Sequence, residues 1–218
     1  MTRPTRSALY LALAMTLVPL SGCIGMTVGA GPTQRDGRQA AAFTRVASGG
    51  SIDVDLTVGP AHSIEVEAEE NLLPNIKTEV KDGTLHIDVD GSFATSKGIR
   101  VIATTPALEA VSVAGSGSVK IDGAAGPQLS LTISGSGEIS ARGAVDSLSV
   151  VVSGSGDLRG FELAAGSVSA TVSGSGDVEV QARDSLSAVV SGSGDIEYRG
   201  DPAVSKTVSG SGSVTRAG

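Results

Sequence analysis

Apolar and polar residues alternate with a period of two along most of this chain. Leu129, Leu131 and Ile133 are separated by Ser130, Thr132 and Ser134, and the rhythm returns in Leu148-Val150-Val152, Val168-Ala170-Val172 and Leu186-Ala188-Val190. Such alternation predicts strands with one buried face. Each run leads into a corner of the form Ser-Gly-Ser-Gly, most often followed by an acid and an aliphatic residue. The middle serines are Ser116, Ser136, Ser155, Ser175, Ser193 and Ser211, so the steps are 20, 19, 20, 18 and 18 residues. A near-constant period with one corner per period predicts a solenoid over 113–214. One such unit cannot bury its apolar face alone; stacking copies about 4.8 Å apart joins those faces into a column.

The glycine pair at each corner either takes positive φ or lets the backbone of the adjoining coil approach closely, and neither tolerates a Cβ. Glycine pairs inside helices would cost about 1 kcal/mol per residue, which excludes a helical array. The expected fold is therefore all-β, a single-stranded parallel β-helix with coils of 18–20 residues. An antiparallel sandwich closed by hairpins at each Gly-Ser-Gly is the competing reading. By register, Val204, Lys206 and Val208 take the slots of Leu186, Ala188 and Val190, so a lysine stands in a core position at the last coil, where the column is expected to end in water.

Residues 43–112 are β-rich but less regular, and are expected to form irregular opening coils with longer excursions. Ser51 to Val58 and Ser63 to Ala68 alternate, with Gly59-Pro60 between them. Asn71 to Ile76 reads as a turn or a single helical turn. Asp82-Gly83 between Thr78-Glu79-Val80 and Thr84 to Val89 predicts a two-residue hairpin.

The phrases Ser51-Ile52-Asp53-Val54, Val66-Glu67-Ala68-Glu69-Glu70-Asn71-Leu72-Leu73-Pro74-Asn75-Ile76 and Asp82-Gly83-Thr84-Leu85, followed by Ser-Gly-Ser-Gly repeats, resemble the head GIN domain family over about residues 43–214. Its members are also labelled auto-transporter adhesins. The resemblance implies a β-helical fold in bacterial envelope proteins, and brings no catalytic residues to carry over.

Residues 1–22 have the form of a lipoprotein signal peptide. Arg3 and Arg6 make a positive start, Ala8 to Pro19 is an apolar run too short to span a bilayer, and Leu20-Ser21-Gly22-Cys23 resembles a lipobox. That motif implies acylation of Cys23, the only cysteine, and hence a membrane partner through the lipid, since two or more chains anchor where one binds marginally. Ile24 after the cysteine, by resemblance to enterobacterial sorting, points to the outer rather than the inner membrane. Residues 23–42, with four glycines and a proline, are expected to be a flexible tether, leaving 43–218 as the folded domain. Loss of Arg3 and Arg6 with the leader takes the net charge from −7 to −9, which argues against nucleic acid as a partner.

The chemistry is sparse. His62 and His86 are the only histidines, both in strand-like segments, and no serine sits in a strand-to-helix elbow. No cofactor is expected. Glu138, Asp157, Asp177 and Asp195 each follow a corner, so stacking sets them in a file where like charges repel by about 1 kcal/mol per pair in water. Calcium could relieve that, as in aspartate-rich β-rolls, but Lys120, Arg159 and Arg199 lie nearby as counter-charges. A polysaccharide-acting β-helix enzyme using Asp157 and Asp177 is a further alternative, set against by the lack of spare residues for cleft walls and by few aromatics. A hydroxyl face of Ser130, Thr132, Ser147, Ser149, Ser167, Ser169, Ser185 and Ser187 offers a surface for self-association. The expectation is a non-enzymatic envelope lipoprotein, a surface or scaffold module serving adhesion or binding an envelope component.

Overall fold

The alternation over 113–214 folds as stacked parallel strands in a computed structural model, which describes residues 26–218. The N-terminal part runs through β1 (Thr27–Val28), β2 (Thr33–Arg38), β3 (Arg45–Gly50), β4 (Asp53–Val58) and β5 (Ser63–Glu69). A 3-10 turn at Leu73–Asn75 then leads to β6 (Ile76–Lys81), β7 (Thr84–Val89), β8 (Phe93–Ala94), β9 (Arg100–Thr105) and β10 (Ala110–Gly115). The repeats form four long bent strands, β11 (Ser118–Gly135), β12 (Glu138–Gly154), β13 (Asp157–Gly174) and β14 (Val178–Gly192). The last coil holds β15 (Ile196–Arg199), β16 (Ala203–Gly210) and β17 (Val214–Arg216).

Leu129 pairs with Leu148, Leu148 with Val168, Val168 with Leu186 and Leu186 with Val204, every pairing parallel. The steps are those of the corner serines, so the β-helix reading holds and the antiparallel sandwich does not. Each coil has two straight sides. One side stacks Val119, Ile139, Leu158, Val178 and Ile196; the other stacks Leu131, Val150, Ala170 and Ala188, all buried. Burying such side chains contributes about 1.5–3 kcal/mol each for the larger ones, and the column is continuous from coil to coil.

The corners explain the glycines. At Gly174 the φ is 132°, and an added Cβ would lie 2.1 Å from the carbonyl oxygen of Gly154 in the coil before. At Gly176 it would lie 2.0 Å from the Gly156 oxygen. The first glycine of the corner thus needs both the left-handed region and the space, and the second needs the space.

The N-terminal region departs from chain order. β3 and β4 form the coil stacked on β10 and β11. Beneath it lie β7, parallel to β3, and β9, parallel to β4, although both come later in the chain. β6 then pairs antiparallel with β7, β5 with β9 and β2 with β5, closing this end of the column. Asp82 (φ 50°) and Gly83 (φ 72°) make the expected hairpin turn between β6 and β7.

Residues 26–38 correct the tether reading. Thr33–Arg38 is a strand with six residues in register with β5, and Arg35 bridges Glu65 at 3.0 Å and Glu67 at 2.9 Å. Asn71 clamps the preceding stretch, accepting from the Ala30 amide (2.7 Å) and donating to the Val28 carbonyl (2.8 Å). The segment is held by backbone and polar bonds, which leave no hydrophobic period to read. Cys23 and the signal peptide lie outside the described residues.

Among the described residues, the other end is bare. All of β16 is exposed, with Val204 at 38% and Val208 at 41%. Lys206 is in register with Ala188, as expected, and its Nζ donates to the Val214 carbonyl at 3.1 Å.

Candidate functional surfaces

The carboxylates after the corners stack, and they are occupied. Asp157 Oδ1 accepts the Asp177 amide (2.9 Å), Asp177 Oδ1 the Asp195 amide (3.1 Å), and Asp195 Oδ1 both the amide (2.7 Å) and hydroxyl (2.8 Å) of Ser213. Asp53 treats Ser118 in the same way two coils into the stack. Each aspartate therefore satisfies a backbone N–H of the next corner, a charge-assisted bond that offsets repulsion along the file. Glu138 is bridged by Arg159 at 3.0 Å. These bonds give the file a structural use, and they lend no support to the calcium reading or to the catalytic reading of Asp157 and Asp177. Among the described residues no three His, Cys, Asp or Glu side chains converge on a metal site.

The hydroxyl face is assembled as the periodicity requires. Ser130, Ser149, Ser169, Ser187 and Ser205 form one file, and Ser147, Ser167 and Ser185 another. The file of Thr132 is mixed, since Val151, Thr171, Val189 and Thr207 follow it, and Val151 is 38% exposed. His86 is solvated, and His62 packs against Phe43 with ring centroids 5.4 Å apart.

The opposite side of the coils carries a feature that sequence reading missed. A groove of about 450 Å³ crosses the strands, lined among others by Lys120, Arg142, Arg159, Phe161, Glu179 and Arg199. Its cause is coil length. The parallel register slips between Ser140 and Arg142 and between Gly160 and Ala164, where the longer coils accommodate their extra residues. Phe161, half-buried, lies in that bulge, and the Arg199 guanidinium lies over its ring at 4.0 Å from the centroid. Arg199 is thus committed to an aromatic face instead of the carboxylate file. Arg142 bridges Asp122, and this hydrogen bond holds the Asp122 carboxyl below its usual range. The available signal was the step of 20 residues at Ser155 to Ser175 against 18 afterwards, with the array's only phenylalanine in the excess.

One buried carboxylate also escaped the sequence reading. Glu69, at the end of β5, accepts from the Thr95 hydroxyl (2.6 Å) and the Ser96 amide (3.3 Å). The Thr95 bond leads the influences that keep its pKa below the usual 4.5. A Cβ on Gly29 would come within 2.8 Å of this carboxyl group, so Glu69 fixes the loop 95–98 and the entering chain together.

The sequence model of the family described as "Putative auto-transporter adhesin, head GIN domain" matches residues 42–202. A crystal structure of a putative adhesin from Bacteroides fragilis is similar in fold, with a TM-score of 0.71 at 22% identity, covering 87% of this chain and 99% of that one. A putative adhesin from Parabacteroides distasonis gives 0.58 at 23%, covering 88% and 100%. A putative lipid binding protein from the same organism gives 0.55 at 25%, covering 89% and 100%. No curated protein matches the chain.

Proposed function

Because this chain belongs to the head GIN domain family, described as auto-transporter adhesins, we propose that it is a non-catalytic adhesin-like module of the cell envelope, held to the outer membrane by acylated Cys23. The observation that carries the reading is the match over residues 42–202, downstream of the Leu20-Ser21-Gly22-Cys23 phrase. The architecture supports it. The closed end of the column is the end at which the chain enters, so the repeats project away from an anchor placed there, and their long sides are free to meet another surface. The family and two of the three similar structures are described as putative adhesins, which supports a reading at the cell surface or envelope.

The test compares cells producing the full chain with cells producing Cys23→Ser. Metabolic labelling with an alkyne fatty acid is expected to mark the wild type alone, and fractionation to move the variant out of the outer membrane. Retention of the cells on host or envelope-derived surfaces is expected to fall with it. An unlabelled wild type removes the anchor, and retention unchanged in a strain lacking the protein removes the adhesin role.

A further inference from the structure

We propose that the groove around Phe161 is a binding site for an anionic oligosaccharide, one bearing carboxylate or sulfate groups on its sugars. Three observations converge on it. Six basic residues fall within 113–214, namely Lys120, Arg142, Arg159, Arg183, Arg199 and Lys206, and four of them line this groove in a chain of net charge −7. Two of the four are already bridged, Arg142 by Asp122 and Arg159 by Glu138. Lys120 and Arg199 have no carboxylate within bridging distance among the described residues.

Those two cations stand on strands four steps apart in the stack. The register runs from Lys120 to Ser140, Arg159, Glu179 and Glu197, and Arg199 lies two residues beyond Glu197. At about 4.8 Å per strand the two backbone positions are roughly 19 Å apart, and the Arg199 side chain reaches back to lie over Phe161, two strands nearer Lys120. The groove's lining comes from several successive strands, which suits charges on different sugars of one chain. Phe161 is half-exposed with the Arg199 guanidinium over its ring at 4.0 Å, so the pair presents an aromatic and cationic platform to a sugar. Glu162 and Glu179 on the same walls can accept from sugar hydroxyls.

The groove also has a built origin. The bulge at Gly160 to Ala164 displaces the regular ladder, and a Cβ at Gly160 would meet the Glu179 carbonyl at 2.5 Å, so the backbone is shaped to present the next residue outward. Exposing the array's one phenylalanine there forfeits burial that a serine or alanine would not need, which fits a surface kept for contact. The inference deepens the adhesin reading and rests on it for its setting, while the binding itself is a property of the groove.

The test titrates the detergent-solubilised full chain with tetragalacturonate (carboxylated), a heparin hexasaccharide (sulfated) and maltotetraose (neutral), by isothermal calorimetry at low and moderate salt. Saturable binding is expected for at least one anionic probe, at least tenfold tighter than for maltotetraose and weakened by salt. Phe161→Ala and Arg199→Gln are each expected to weaken it tenfold or more, Lys120→Gln several-fold, and Arg183→Gln, outside the groove, not at all. Thermal unfolding of each variant separates lost binding from lost folding, and the exposed Arg199→Gln serves if Phe161→Ala is unstable. Binding by neither anionic probe overturns the proposal, as does equal loss in Arg183→Gln or undiminished binding in folded Arg199→Gln. Cell retention measured on the same variants keeps the two readings apart: retention that survives Phe161→Ala and Arg199→Gln sinks the groove and leaves the adhesin role standing.

Discussion

The two ends of the column solve the same problem in opposite ways. A stack of parallel strands leaves a row of unpaired amides and carbonyls at each end, a template for pairing with another chain. At the N-terminal end the chain folds back under itself. β5 and β6 turn antiparallel to β9 and β7, and β2 adds a further polar strand whose arginine bridges β5. Leu85 and Ile87 beneath that cover are 0% and 1% exposed. Among the described residues, nothing covers the C-terminal end. β16 offers its edge and two valines to solvent, and the blunting device is a single lysine placed where every earlier coil has an aliphatic residue. One end is closed by structure and the other by a charge, so they should fail differently.

Removing the cover is the harshest way to break the comparison. Deleting residues 26–38 bares the outer edge of β5 and is expected to lower the melting temperature on the order of 10 °C, with the protein associating in sedimentation. An unchanged, monomeric protein would mean that β2 is a passenger. Next come paired core truncations. Leu85→Ala at the closed end is expected to cost about 2–5 kcal/mol in denaturant unfolding, and Val208→Ala at the open end under about 1 kcal/mol, because 41% of its surface already faces water. Equal costs would contradict the asymmetry. Lys206→Val sharpens the point from the other side: stability is expected to hold while the protein shifts from monomer to dimer or larger species in analytical ultracentrifugation.

The mildest effect is on acid sensitivity. Glu69 holds a lowered pKa through its Thr95 bond, so its contribution is complete above the ordinary value of 4.5 and is lost as pH falls through the lowered one. Hydrogen exchange below that range is expected to loosen loop 95–98 and the Gly29 stretch before the repeats. Glu69→Gln should flatten this dependence, and a profile identical to wild type would remove Glu69 as its source.

Legibility from sequence followed the same division. In the array the physics is local and repeated: a period of two selects the buried face, a doublet of glycines marks each bend, and the spacing of Ser136 to Ser155 already states which residues will pair. The slot of Lys206 followed by counting alone. At the closed end the pairing is set by where the chain goes next, which no residue spells out. That 84–105 slides beneath 45–58 had no periodic signature, and Thr-Gln-Arg-Asp-Gly-Arg in β2 looks like a linker because its bonds are backbone and ionic. The groove was hidden for a related reason. Two extra residues in a coil read as irregular spacing until the register shows that they push Phe161 outward. The file of acids was found, but its use was not, since an amide donor leaves no trace in composition.

The reordering of strands near the N-terminus also bears on how the molecule is made. As the chain emerges during synthesis, the layer from 45–58 has nothing on either side until the layer from 84–105 has followed it and slid underneath. Once that foundation is complete, each later turn meets a finished surface directly above and needs only its own eighteen or twenty residues to settle. Assembly would then advance in one direction, slow to start and quick to continue, with the newest turn always the least secure.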